Sequence, residues 1–177
     1  MSINPTHMKK FICGVLVGIC LPFVVAYVFV AFGGMPVATK GQPLPLERFI
    51  AGKALHAAMD RDVGKPSPLP FDEVNLLAGA RVYQAQCGVC HGRLDRPASA
   101  IATGLFPPVP QLLRPGKGVT DDLVGETYWK ARNGIRLTGM PGFVGSLSDA
   151  ELWQVSLLLR NADKLPVSVQ QILRAGD

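Results

Sequence analysis

The stretch Cys87-Gly88-Val89-Cys90-His91 constrains this chain of 177 residues more than any other. Two cysteines three apart with a histidine directly behind them form the attachment signature for haem. Each thiol adds across a vinyl group to give a thioether, and the imidazole stands under the iron as an axial ligand. Low-spin haem iron also needs a second axial ligand, usually a Met thioether or another His. Beyond His91 the sequence contains no further histidine and one methionine, Met140, in Leu137-Thr138-Gly139-Met140-Pro141-Gly142-Phe143. Glycine on one side and a rigid Pro-Gly on the other predict a non-helical loop that can turn a side chain inward. An isolated Met is ordinarily core filler. With the upstream motif and no rival downstream, Met140 is the expected distal ligand. A bis-His haem would have to use His56, whose ordinary reading is a surface histidine.

From about Phe71 to Asp163 the chain resembles a small class I c-type cytochrome. The likeness rests on Gly79-x-x-x-Tyr83 ahead of Cys87 to His91, then Pro107-Pro108-Val109-Pro110-Gln111-Leu112, Asn133-Gly134-Ile135, Gly139-Met140-Pro141 and a closing helix, in that order. The resemblance implies an all-α fold of three to five helices around one haem c, covalent through Cys87 and Cys90, with iron held by His91 and Met140. It also implies that a proline carbonyl accepts a hydrogen bond from the imidazole Nδ1–H of His91, which fixes the ring and raises its basicity. Pro110, followed by Gln111-Leu112, matches that position best, with Pro107 and Pro108 as alternatives. The closing helix should cross the first one at Gly79 and Tyr83, with Val155 and Leu158 in contact. The family commonly has an aromatic where Leu158 stands.

Hydrophobic residues make up 48% of the sequence, and the excess lies near the N-terminus. Lys9 and Lys10 precede Phe11 to Phe32, which contain no charge. As a helix this run is ~33 Å long, enough to cross a bilayer core. A cleaved signal peptide has a shorter apolar region and a small-x-small site, which Pro36-Val37-Ala38 matches poorly. The expectation is a retained, single-pass anchor at 11–32. Lys9 and Lys10 keep residues 1–10 in the cytoplasm by the positive-inside rule. The haem domain then faces the periplasm of a bacterial inner membrane, the side on which the resembled family attaches haem. Cys13 and Cys20 lie inside the apolar run and read as small buried hydrophobes.

Residues 33–70 read as a Gly/Pro-rich linker with an amphipathic helix near 46–61. The domain itself spans 71–163. Asp72 is the expected N-cap of a helix through about Gln86. Arg93 to Gly118, with five prolines, reads as irregular loop. Thr120 is the expected cap of the next helix, with Asp121 and Asp122 in its first turn and Gly134 closing it. In that helix Tyr128, Trp129 and Arg132 are candidates to face the haem, against a default of core for the aromatics and solvent for the arginine. Ser148 to Glu151 is a capping box opening a helix to about Asn161. The tail, 164–177, suggests a short helix of unassigned use.

From residue 40 onward, 16 Lys/Arg face 13 Asp/Glu with no basic block, which gives nucleic-acid binding no support. The leading expectation is single-electron transfer between redox protein partners, without a small-molecule substrate and without catalysis. The acceptor would be a high-potential one, such as a terminal oxidase or reductase. A dithiol oxidoreductase needs a low-pKa thiolate, often at a helix N-terminus. Here a helix precedes the cysteine pair. A structural zinc site wants four ligands, and only Cys87, Cys90 and His91 cluster. Two further readings are a haem sensor in which Met140 leaves the iron, and a fixed subunit of a dehydrogenase or oxidase complex.

Overall fold

The computed structural model describes residues 5–60, 63–94, 96, 99–114 and 118–174, and among these there are helices and no strand. The chain divides into two compact units, 1–47 and 48–177.

In the first unit, α1 (Pro5–Ala31) opens on proline, whose missing N–H costs nothing in the first turn. Its stretch Thr6–Ala31 is long and apolar enough to cross a membrane, and none of its apolar window is buried. Gly33, in the left-handed region at φ 78°, ends it. Leu46 also has a positive φ, 65°, and so stands outside the helix that the apolar spacing predicted from residue 46. That helix, α2 (Glu47–Met59), starts one residue later, where the Glu47 carboxylate accepts the Leu44 N–H at 2.7 Å.

In the second unit Asp72 caps α3 (Glu73–Val82) by accepting the Asn75 N–H at 2.9 Å. A π-helical turn, Tyr83–Cys87, then leads into the short α4 (Gly88–His91). Ahead lie α5 (Ala100–Gly104), α6 (Val124–Asn133), α7 (Asp149–Arg160) and α8 (Val167–Arg174). The expected capping box opens α7: Ser148 Oγ accepts the Glu151 N–H at 3.3 Å, and the Glu151 carboxylate accepts the Ser148 N–H at 2.8 Å.

The core forms where α3 crosses α7 and α8 closes over α3. Leu76, Ala80, Tyr83, Val155, Leu158, Leu159, Val169 and Leu173 are buried together there. Gly79 allows the crossing, since a side-chain carbon at that position would stand 2.3 Å from the Gln154 carbonyl oxygen. Leu158, where an aromatic is common in the resembled family, is completely buried and lies 3.2 Å from that same point. Leu158→Ala is expected to destabilise the domain by about 2–5 kcal/mol, the usual cost of emptying a buried leucine site. Guanidinium unfolding followed by circular dichroism checks it, and a loss under about 1 kcal/mol would contradict this packing.

Two further expectations differ from the structure, and a third feature, the use of the tail, was left open by the sequence. Thr120 does not cap α6, which begins at Val124 behind Leu123 and has no side-chain cap. Residues 119–122 turn instead, with Asp122 N–H donating to Val119 O at 3.2 Å. The Asp122 carboxylate reaches into α6 to pair with Lys130 at 3.5 Å. Packing sets this start, because Gly125 lies tight against the carbonyls of Val63 and Lys65. The region 93–118 is not wholly irregular: Ser99 caps α5 by accepting the Ala102 N–H at 3.1 Å. The expectation for Asp95, Pro97, Ala98 and residues 115–117 falls outside the described residues. Finally, α8 belongs to the core. The Gln84 amide donates to the Ile172 carbonyl, and the Ser168 hydroxyl donates to Glu73, so the start of α3 and the turn that follows it are both tied to α8.

Candidate haem site

The α3 helix delivers the motif through a widened turn. Its last buried side chain, Tyr83, sends its hydroxyl under the motif, donating to the carbonyls of Gly92 at 2.9 Å and His91 at 3.3 Å. Burial, with Cys87 nearby, pushes the Tyr83 hydroxyl well above its usual range, so it remains a donor. Gly92 takes φ 78°, which lets the chain reverse immediately after His91.

His91 Nδ1 lies 2.9 Å from the carbonyl oxygen of Pro110. A proline carbonyl can only accept, so Nδ1 carries the proton and Nε2 keeps its lone pair. Burial pushes the His91 pKa down, partly opposed by this hydrogen bond, and so favours the neutral ring that a metal ligand requires. Of the three prolines open at the sequence level, Pro110 is the one whose carbonyl meets His91.

Cys87 and Cys90 are free and half-buried. Burial, and then Cys90, push the Cys87 thiol up to about 12. A redox dithiol needs the opposite, a thiolate near neutral pH. Among the described residues no three His, Cys, Asp or Glu side chains gather as for a bare metal ion. The donor set therefore fits haem, which brings its own four nitrogens and asks the protein for thiols and one axial base.

Met140 lies in a loop folded back on the end of α6. Gly134 closes that helix at φ 68°, and a side-chain carbon there would strike the backbone of Met140, Pro141 and Gly142. Ile135 N–H donates to Met140 O at 3.2 Å, and Met140 N–H donates to the Thr138 hydroxyl at 3.1 Å. Phe143 and Val144 N–H donate to the carbonyls of Ala131 and Arg132. Two contacts link this loop to the motif. Gly139 packs on Leu105 at the end of α5, and the α5 cap Ser99 donates to the Val89 carbonyl at 2.5 Å, between the two cysteines. His56, the alternative ligand, is exposed on α2 and its Nδ1 donates to Gly52 O of the same helix at 2.7 Å.

The aromatic candidates on α6 take other partners. Tyr128 stacks on Trp153 of α7 with ring centroids 3.9 Å apart, and its hydroxyl donates to Asp149. Arg132 is not simply solvated, since it donates to Asp149 at 3.2 Å and to the Tyr128 hydroxyl at 3.2 Å. Trp129 lines a shallow surface groove with Lys65, Tyr128, Arg132 and Asn133. Sequence reasoning missed the supporting roles of Ser99 and Leu105, which no local motif marks.

Residues 74–157 match the family model described as cytochrome c oxidase, cbb3-type, subunit III. No curated protein matches the chain. A solved structure from the reducing HAO-like protein complex of Kuenenia stuttgartiensis is 26% identical, with a TM-score of 0.44 over 57% of this chain and 48% of that one. This chain thus spans about half the length of that neighbour. Residues 74–157 are a class I c-type cytochrome domain, a fold whose cofactor is haem c and whose role is electron transfer.

Proposed function

We propose that this chain is a monohaem c-type cytochrome, anchored through residues 11–32, that passes single electrons between redox proteins on the periplasmic side of a bacterial inner membrane. Its partners are redox proteins, with a high-potential acceptor such as a terminal oxidase or reductase, and it binds neither nucleic acid nor a small-molecule substrate. The observation that carries the reading is the 2.9 Å contact from His91 Nδ1 to Pro110 O within the Cys87 to His91 turn. It orients an imidazole lone pair beside two thiols, which is the arrangement covalent haem requires.

Haem bound here supplies a ferric/ferrous couple, and thioether ligation favours the ferrous form. The residues of the chain do the rest. Cys87 and Cys90 would hold the group covalently and His91 would ligate it, with its ring fixed by the Pro110 carbonyl. Met140, on its hydrogen-bonded loop, would supply a thioether as the second protein ligand, which would leave no position for a substrate. Arg132, Tyr128 and Asp149 stiffen the junction of α6 and α7, from whose end the Met140 loop departs.

Met140→Ala, matured with haem, is expected to keep its covalent cofactor, turn high-spin and bind carbon monoxide. The parent protein should show a sharp reduced α band that ignores the gas. An unchanged spectrum in the variant would remove Met140 as a ligand, and a parent that binds the gas would favour the sensor reading. A second reading, a fixed subunit of an oxidase complex, draws on the description of the matching family. Mild-detergent purification distinguishes them, because a subunit leaves the membrane with stoichiometric partners and a free carrier leaves alone.

A further inference from the structure

The α2 helix turns the wrong side outward for a helix in water. Successive residues rotate by about 100°, so Gly52, Leu55 and Met59 share one face. Met59 is buried at 1% exposure, and Gly52 and Leu55 are half-buried. The opposite face carries Ile50, Lys53 and Ala57, with Phe49 at its edge, all exposed, and Phe49 and Ile50 at 62% and 61%. Leu46, just ahead of the helix, is 69% exposed. Three large apolar side chains within five positions, Leu46, Phe49 and Ile50, are thus exposed.

Cations outnumber acids around them. Lys40, Arg48 and Lys53 punctuate this stretch, and its one acid, Glu47, has its carboxylate engaged by the Leu44 N–H at 2.7 Å. Apolar anchors flanked by cations on a short surface helix match the surface of an anionic bilayer, with lysine stems lying along the apolar layer and ammonium groups among the phosphates. The connection allows it. Residues 32–46 separate α1 from α2, a reach of at most about 50 Å, so a bilayer crossed by α1 is accessible to α2.

We propose that the outer face of α2, with Phe49, Ile50 and Lys53, lies in the headgroup layer of an anionic lipid bilayer. The proposal rests on the anchoring reading of residues 11–32. Such a contact would make the helix a second hold on the membrane, next to the domain it adjoins.

The test uses the full chain with its haem, carrying p-benzoylphenylalanine at position 49, in vesicles of phosphatidylethanolamine and phosphatidylglycerol. Matched chains carry the probe at position 23, inside the apolar span, or at position 164, an exposed surface residue. After irradiation, mass spectrometry reads the adducts. Lipid adducts at 23 and at 49, the latter at least about threefold above 164, are the expected result. The adduct at 49 should fall in Arg48→Glu/Lys53→Glu chains and in vesicles of phosphatidylcholine alone. Lipid at 23 with none at 49, or protein adducts at 49, would overturn the proposal and leave the anchor standing. No lipid at 23 would remove the anchor and the proposal with it.

Discussion

A chain in which Cys87 and Cys90 are both alanine is expected to leave a host able to mature c-type haem with no haem that survives acid–acetone extraction. Two thioethers would be covalent bonds, so the readout is all or none rather than a shift in affinity. The rest of the turn does not depend on the thiols: Tyr83 still reaches the carbonyls of His91 and Gly92, and His91 still meets Pro110. Each single variant should retain haem through one remaining thioether, with a red-shifted α band from the unreacted vinyl group. Extraction-resistant haem in the double variant would contradict the attachment assignment. A double variant that lacks haem but also lacks helix content would be separated from simple misfolding by comparison with His91→Ala, which keeps both thiols.

Gly79→Ala is expected to destabilise the domain, and the sign of its effect distinguishes local from tertiary control. Helix propensity alone makes alanine better than glycine in a helix interior by about 1 kcal/mol. Here the new methyl group would stand 2.3 Å from the oxygen and 2.7 Å from the carbon of the Gln154 carbonyl. Both are backbone atoms of α7 and cannot rotate away, so the two helices must separate. Overpacking of this kind costs about 1–3 kcal/mol or more, and backbone contact places this case at the upper end. The expected net loss is therefore about 2 kcal/mol or more. Guanidinium unfolding of the full chain in detergent, followed by circular dichroism, measures it. A stabilised variant would mean that α3 and α7 do not cross at Gly79.

Features controlled by neighbouring residues were legible in the amino-acid order. The capping oxygens of Asp72 and Ser148 bond to N–H groups three positions away, and Gly134 closes α6. The Cys87 to His91 turn and the Gly-Met-Pro segment are likewise contiguous, so the chemistry they suggest needs no fold to be noticed. Thr120 shows where such reasoning fails. It satisfies every local rule for a cap, yet contacts of Gly125 and Lys130 with residues outside the helix set the start of α6 at Val124.

Other features exist only because the chain folds. Pro110 matched the position facing His91 best but left Pro107 and Pro108 as alternatives, and tertiary structure brought Pro110, 19 positions away, within 2.9 Å. The tail carried an unassigned helix until packing buried Leu165, Val169 and Leu173 and joined Gln84 to Ile172 across 88 positions. The sequence by itself determined the Cys87 to His91 motif, the Gly-Met-Pro segment, the apolar span and the caps at Asp72 and Ser148, since each is fixed by residues within one or two turns. Tertiary structure decided the partner of His91, the start of α6 and the place of α8. Those depend on which distant groups meet when apolar faces are buried, and such meetings leave no mark on neighbouring residues.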